Sequence, residues 1–387
     1  MSSASPINVQ TDALSDGQTI GRLKTDQMFI NLGPQHPSTH GVLRVGLTVE
    51  GEIIVKAVPD IGYLHRGTEK LAEVRGYHHC VVLTDRWDYV AAMPNNLVFC
   101  LAAEKLMGVK APARADALRV IMCEMNRIAS HLLFFGTYGI DIGAYTPFLY
   151  AFREREMILD LFEMLCGARL TYNYIRLGGV MVDAGPDWIA KLKEFLAYFK
   201  PKLDEYDNLL SFNPIFMART QGVGLLSKEE AVNWGLSGPN LRGSGVNYDA
   251  RKADPYCGYE NYDFEVALGK TGSCWDRFFC RVLEMRQSLR IVDQALAKLP
   301  EGPVMAPGVA KIPKPAPGES YAHVEAARGD LGIHLVSDGG ISPFRMHVRA
   351  PSFINLAMLQ EKLVGMKVSD VIALLGSIDI VLGEVDR

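Results

Sequence analysis

Apolar and polar positions alternate between residues 27 and 60: Met28 and Ile30, then Val42, Arg44, Gly46 and Thr48, then Ile53 and Val55. Gly33-Pro34 and Glu50-Gly51 punctuate the run, and the pattern predicts a small sheet built from hairpins. From about residue 66 to 212 the period becomes helical. Leu118, Ile121, Met122, Met125, Ile128, Ala129 and Leu132 share one face of a long helix. Ile158, Leu161, Phe162 and Leu165 mark a second, opened by the charged turn Arg153-Glu154-Arg155-Glu156, and a third run spans roughly Asp187 to Leu210. Such stripes predict a helical bundle as the main core. Residues 213–260, rich in Gly, Asn, Pro and Tyr, read as ordered loop, and another helix is expected from Trp275 to Leu299. A Pro-rich connector then leads to a second β unit, in which Ala322 and Val324, Ile333 and Leu335, and Met346 and Val348 alternate. Its turns fall at Arg328-Gly329-Asp330 and Asp338-Gly339-Gly340, and a last helix is expected around Ser369 to Leu375.

This gives an α+β fold, mainly helical. Its parts are a flexible arm (1–25), a small β-rich unit (26–64), a helical core (65–300), the connector with the second β unit (301–350), and a C-terminal helix and tail returning to the core (351–387). With 387 residues, 48% of them hydrophobic, the chain can bury a large core. A net charge of -4 with the signs interspersed excludes a basic nucleic-acid surface. No apolar run reaches the roughly 18 residues of a spanning helix; the nearest, Leu132 to Phe152, contains Asp141. The first residues lack the pattern of a signal or transit peptide. The seven cysteines are scattered without C-x-x-C spacing and read as packing residues of a reducing compartment.

Candidate chemistry concentrates in Gly33-Pro34-Gln35-His36-Pro37-Ser38-Thr39-His40-Gly41. Pro37 bars a regular helix, so both histidines sit on a turn between strands. Two readings fit: hydrogen-bonding or ligand histidines at a cleft, and a turn whose histidines cap their own backbone. Two histidines alone fall short of the three protein ligands a catalytic zinc requires. Gly62-Tyr63-Leu64-His65-Arg66-Gly67 precedes a helix that starts near Thr68-Glu69. In Asp85-Arg86-Trp87-Asp88-Tyr89, two acids and an arginine predict a local salt-bridge network, and Tyr89 offers a phenol donor. Asp141, in apolar surroundings, requires a cation or strong donor as partner, or caps a helix end. The glycine-rich stretches at 176–179 and 241–245 lack the Walker Lys-Thr pair and the G-x-G-x-x-G pattern, which argues against nucleotide binding.

Taken in order, several of these motifs are similar to those of the 49 kDa-type subunit family of proton-pumping NADH:quinone oxidoreductases (respiratory complex I). The resemblance runs from about residue 26 to the last. It is carried by the His loop, His65 to Lys70, Asp85-Arg86 with Tyr89, Asp141 to Ala144 with Thr146-Pro147-Phe148, Arg153 to Glu156, Leu236-Ser237-Gly238, Leu241 to Gly245, and Asp379 to Arg387. It implies a fold like the large subunit of nickel–iron hydrogenases, with small N-terminal and C-terminal β units around a helical bundle. Those enzymes hold their metal with two cysteine pairs, and the corresponding stretches, Asp85 to Tyr89 and Asp379 to Arg387, contain no cysteine. Thiolates are what such a site requires, so no metal is expected and the hollow is free for quinone.

The resemblance further implies that His40 and Tyr89 hydrogen-bond the two carbonyl ends of a quinone head group and that Asp141 orients and charges His40. His36 and Thr39 support the loop, and Arg66 lies near the terminal 4Fe-4S cluster of a partner subunit. Implied partners are that cluster-bearing subunit, the 30 kDa-type subunit and the membrane quinone-channel subunit, at the cytoplasmic face of a bacterial membrane. The substrate is ubiquinone or menaquinone. Thr171-Tyr172 stands where several members carry a histidine near the cluster, which makes the lower-potential menaquinone plausible. Two rivals are a membrane-bound nickel–iron hydrogenase subunit and a scaffold whose pocket is vestigial.

Overall fold

The computed structural model describes residues 26–35 and 41–387, and the backbone of residues 9–13 and 19–23. Within the stretch read as an arm, Val9–Ala13 and Thr19–Leu23 pair antiparallel. The expected hairpin sheet forms from Gln27–Leu32, Arg44–Glu50 and Ile53–Asp60, in that spatial order. Leu32 pairs with Val45 and Arg44 with Asp60. The sheet's alternation buries Val45, Leu47, Val49, Ile54 and Ala57 on one face. That face packs with Leu356, Leu359, Leu374, Ile378, Leu382 and Val385 from the far end of the chain into one hydrophobic cluster.

A larger cluster lies among the helices Ala92–Met107, Ala113–Asp141, Thr146–Cys166, Pro186–Phe199 and Cys274–Ala297. The second β unit, Gly318–Ala326, Gly329–Ser337 and Arg345–Arg349, packs against the first of them and adds Val324, Ile333 and Met346 to this core. The helix expected to open at Arg153 begins earlier, at Thr146, with Pro147 in its first turn, where a missing N–H is harmless. The run from Asp187 to Leu210 is not one helix. It stops at Phe199 and resumes as Lys202–Tyr206 and a wide turn at Asp207–Ser211, because Pro201 has no N–H to continue the ladder.

Residues 213–260, expected as loop, carry the short helices Pro214–Thr220, Lys228–Asn233, Pro239–Gly243 and Ala250–Ala253. Their start signals were in the sequence: the Asn213, Ser227 and Asp249 side chains accept backbone N–H groups as caps, and Pro214 and Pro239 occupy first turns. All seven cysteines are free, and Cys80, Cys100, Cys123, Cys274 and Cys280 are buried.

Two glycines bring the turn of the second β unit onto the start of Pro239–Gly243. Gly238 has φ +66, and a Cβ there would lie 2.5 Å from Gly329 Cα and 2.7 Å from the Arg328 carbonyl oxygen. A Cβ on Gly329, at φ +141, would lie 2.5 Å from Ser237 Oγ. Gly238→Ala is expected to destabilise the fold by ~1–3 kcal/mol through overpacking, read as a lower denaturant midpoint with an unchanged slope.

Candidate functional site

Tyr89 sits in the turn between the helices Tyr77–Thr84 and Ala92–Met107. Both chain neighbours are fastened. Trp87 is fully buried and its Nε1 donates to Thr68 Oγ1 at 3.1 Å. Asp88 Oδ1 accepts from the Val90 and Ala91 backbone N–H groups at 3.2 Å each, and Asn95 Nδ2 donates to the Asp88 carbonyl at 3.1 Å. The phenol is thus presented half-buried from a rigid turn. Burial raises its pKa above the ordinary phenol value, and the nearby Arg328 guanidinium opposes that rise.

The expected local salt-bridge network does not form. Asp85 and Asp88 are buried, Arg86 is exposed, and Asp88 pairs with an arginine distant in sequence. Arg328 Nη1 donates to Asp88 Oδ2 at 2.5 Å and to Ser130 Oγ at 3.1 Å, and its Nη2 donates to Asp379 Oδ1 at 3.2 Å. Asp379, at φ +57, ends the helix Val368–Ile378 and also faces Arg281, at 3.5 Å. Arg281 in turn donates to the carbonyls of Ser377 and Ile378, both at 3.0 Å. These bonds fix the turn that leads into the last helix, Leu382–Asp386.

That helix is where the separated stretches meet. A Cβ on Gly383 would lie 2.5 Å from the Trp87 carbonyl oxygen, 2.8 Å from that of Arg86, and 3.4 Å from Cδ1 of Tyr89. A Cβ on Gly41, the residue after His40, would lie 3.3 Å from Cδ1 of Leu382. The Asp386 carboxylate accepts from the Gly62 and Leu64 N–H groups at 2.8 and 2.7 Å, His65 Nδ1 lies 2.6 Å from the Asp386 carbonyl oxygen, and Gly67 N–H donates to the Arg387 carbonyl at 3.1 Å. Exposed Arg66 therefore sits on a loop fastened to the same helix.

Asp141 is the last residue of Ala113–Asp141 and is half-buried. It approaches the helix Val368–Ile378: a Cβ on Gly376 would lie 3.2 Å from Asp141 Oδ2 and 2.6 Å from the Tyr138 ring. Tyr138 Oη donates to the Ala373 carbonyl at 2.9 Å. The predicted residues His36, Thr39 and His40 lie outside the described residues.

Three residues of the site, Arg328, Asp379 and Glu384, carry no signal of their own in the sequence. All are buried. Arg328 is visible there only as the first residue of an Arg-Gly-Asp turn, and the two acids only as members of the terminal motif. Glu384 Oε2 accepts from the Ser352 N–H at 2.9 Å. Burial and the neighbouring Asp88 carboxylate push the Glu384 pKa up to about 7. Chemically, the site offers a phenol donor beside a buried mixed-charge cluster, at the seam between the two hydrophobic clusters. Among the described residues no group of three His, Cys, Asp or Glu side chains is placed to hold a metal ion.

The chain is similar to known proteins over nearly its whole length. A family described as "Respiratory-chain NADH dehydrogenase, 49 Kd subunit" matches residues 141–315 and 308–387. An NADH-quinone oxidoreductase subunit of Desulforamulus reducens is 53% identical over 364 residues, covering 94% of this chain and 99% of that protein. The like-named subunit of Bacillus anthracis is 52% identical over 367 residues, covering 94% and 100%, and that of Geobacillus kaustophilus is 53% identical over 365 residues, covering 94% and 99%.

Proposed function

The chain belongs to the 49 kDa subunit family of the respiratory-chain NADH dehydrogenase, and on that premise we propose that it forms the site where quinone is reduced. It is a subunit of an oxidoreductase complex, with other subunits of that complex as partners. Among the described residues no helix is long and apolar enough to cross a membrane.

The reading rests on one observation. The backbone next to His40 and the ring of Tyr89 both pack on the helix Leu382–Asp386, against Leu382 and Gly383 respectively. Gly41 and Tyr89 are 48 residues apart in sequence. Two stretches carrying an imidazole and a phenol thus approach one short element from different parts of the fold. In the proposed site, Tyr89 donates to one carbonyl oxygen of the quinone head group and His40 to the other. Negative charge builds on those oxygens as electrons arrive from a partner's 4Fe-4S cluster, and preorganised donors stabilise it. Asp141 keeps His40 charged and oriented; a nearby carboxylate favours the imidazolium. His36 and Thr39 hold the loop, and Arg66 lies toward the partner's cluster.

The fold proposed is that of the nickel–iron hydrogenase large subunit. In support, the stretches 85–89 and 379–387 lie against each other through Gly383 and are joined by Arg328. Partner assignments follow the same reading: the cluster-bearing subunit near Arg66, the 30 kDa-type subunit, and a membrane subunit that delivers quinone, with reduction coupled to proton translocation.

A photoreactive quinone tests the proposal directly. Irradiated with the assembled complex, it is expected to label residues 36–43 and 87–90 of this chain, and excess natural quinone should compete. Labelling confined to other subunits, or insensitive to competition, would refute the assignment.

A further inference from the structure

We propose that Glu384, grouped with Asp88 around Arg328, holds the proton that replaces the one Tyr89 gives up as quinone is reduced. This rests on the quinone reading and deepens it.

Charge balance comes first. The cluster contains two guanidiniums, Arg281 and Arg328, and three carboxyl groups, Asp88, Asp379 and Glu384, all buried. With every group ionised, one negative charge would stand in excess in a region of low dielectric. Such a charge is strongly disfavoured, and a carboxyl there takes up a proton instead.

Hydrogen bonding decides which one. Asp379 faces both arginines, at 3.2 and 3.5 Å. Asp88 holds Arg328 at 2.5 Å and two backbone N–H groups. Glu384 accepts one backbone N–H through Oε2, and its Oε1 is buried with no hydrogen-bond partner among the described residues. It is the least supported anion of the three. The groups facing it come from several elements. Asp88 belongs to the turn after Tyr77–Thr84 and Arg328 to the turn of the second β unit; Arg328 in turn holds Asp379, at the end of Val368–Ile378, with Arg281 behind it. The helix Pro351–Ala357 contributes uncharged Ser352. On its own helix, Asp386 turns to the 62–67 loop, and Arg387 turns to the Val348 carbonyl and the Phe353 ring. None supplies Glu384 with a cation of its own. Its midpoint of about 7 agrees with this count.

The helix that carries Glu384 also touches the donor it would serve. Glu384 follows Gly383, whose backbone lies against the Tyr89 ring, and Asp88 precedes Tyr89 in the chain. In the reduction step the Tyr89 O–H bond breaks and an O–H bond forms on the quinone oxygen, which has received electrons from the partner's cluster. The Glu384 carboxyl O–H bond then breaks as the Tyr89 O–H bond re-forms, leaving a carboxylate that solvent re-protonates. The quinol's second proton comes from His40. Glu384 thus acts through Tyr89 as a positioning residue for the proton.

The test uses the assembled complex. Below its midpoint of about 7 the Glu384 store is filled, and above it the store empties, so wild-type quinone reduction should fall on the alkaline side through that midpoint. Glu384→Gln keeps the shape, removes the store, and is expected to abolish that limb. Its loss of rate should be smaller than the ~100-fold that a direct proton donor contributes. Glu384→Asp should restore the limb. A Glu384→Gln complex that keeps the wild-type limb, or a Glu384→Asp complex that lacks it as the glutamine variant does, would overturn the inference. Should Glu384→Gln fail to assemble, redox-induced infrared difference spectra of the wild type decide. Followed in time at acid pH, a protonated-carboxyl band that bleaches as quinone is reduced and recovers as solvent re-protonates the group is expected, and its absence would count against the proposal. Tyr89→Phe separates the two levels: full activity in that variant sinks the quinone reading itself, whereas an inactive Tyr89→Phe with an unchanged Glu384→Gln sinks only the proton store.

Discussion

Replacing Tyr89 by phenylalanine lowers quinone reduction by the assembled complex about 100-fold or more, the range expected when a positioned proton donor is lost. The substitution removes one oxygen and leaves the ring, which packs against Gly383 between two fastened neighbours, Trp87 and Asp88. The fold therefore has no reason to change, and the defect isolates the O–H group. Its pKa is raised by burial, so the phenol enters the reaction protonated at neutral pH and serves as donor rather than base. The loss should fall on kcat more than on KM, since the hydrogen bond strengthens only as charge develops on the quinone oxygen. Electron transfer from NADH to an artificial acceptor that bypasses the quinone site serves as the control and should be unaffected. Unchanged rates with several quinones would instead favour a scaffold whose pocket is vestigial.

Arg328→Met is the substitution expected to damage the fold most. Arg328 is 1% exposed and spans Asp88 and Asp379, so its removal leaves two buried carboxylates without this cation. Breaking a buried pair in this way costs about 3–5 kcal/mol. The effect should appear as low yield of assembled complex and a lower thermal midpoint.

The pH dependence has a definite sign. Asp88 already titrates above the ordinary carboxylate value because it is buried, with Arg328 holding it down. Without that cation its folded pKa rises further. The folded state then binds more protons than the unfolded one, so stability falls as pH rises through the window between the unfolded and folded pKa values. Mild acidification should therefore partly rescue the variant, and a defect independent of pH would contradict this account of Arg328.

Periodicity located the helix ending at Asp141 but not its surroundings. The stripe from Leu118 to Leu132 predicts one buried face and one wet face. In the structure Glu124, Asn126, Arg127, Ser130 and His131 are buried as well. The helix is enclosed because distant groups compensate its polar side. Glu124 lies 3.1 Å from Arg251 and accepts from Tyr259 and Ser288 at 2.7 and 2.6 Å, while His131 lies 2.9 Å from Glu284. A hydrophobicity pattern cannot register a charge that is buried because its partner arrives from more than a hundred residues away.

What the sequence determined by itself was local or motif-borne. Alternation set the three-stranded sheets, Pro201 ended a helix, caps and prolines started the short ones, and the ordered motifs from the His loop to Asp379–Arg387 pointed to the family. These follow from sterics, backbone hydrogen bonding and residue identity within short windows. Tertiary structure alone decided that Arg328 closes on Asp88, 240 residues earlier, that Gly41 and Tyr89 both pack on one short helix, and that Glu384 is buried as the least supported of the three acids around Arg328. Those outcomes depend on which charges and backbones come within a few ångströms once both hydrophobic clusters have formed, and Coulomb energy and burial are properties of that distance, not of position along the chain.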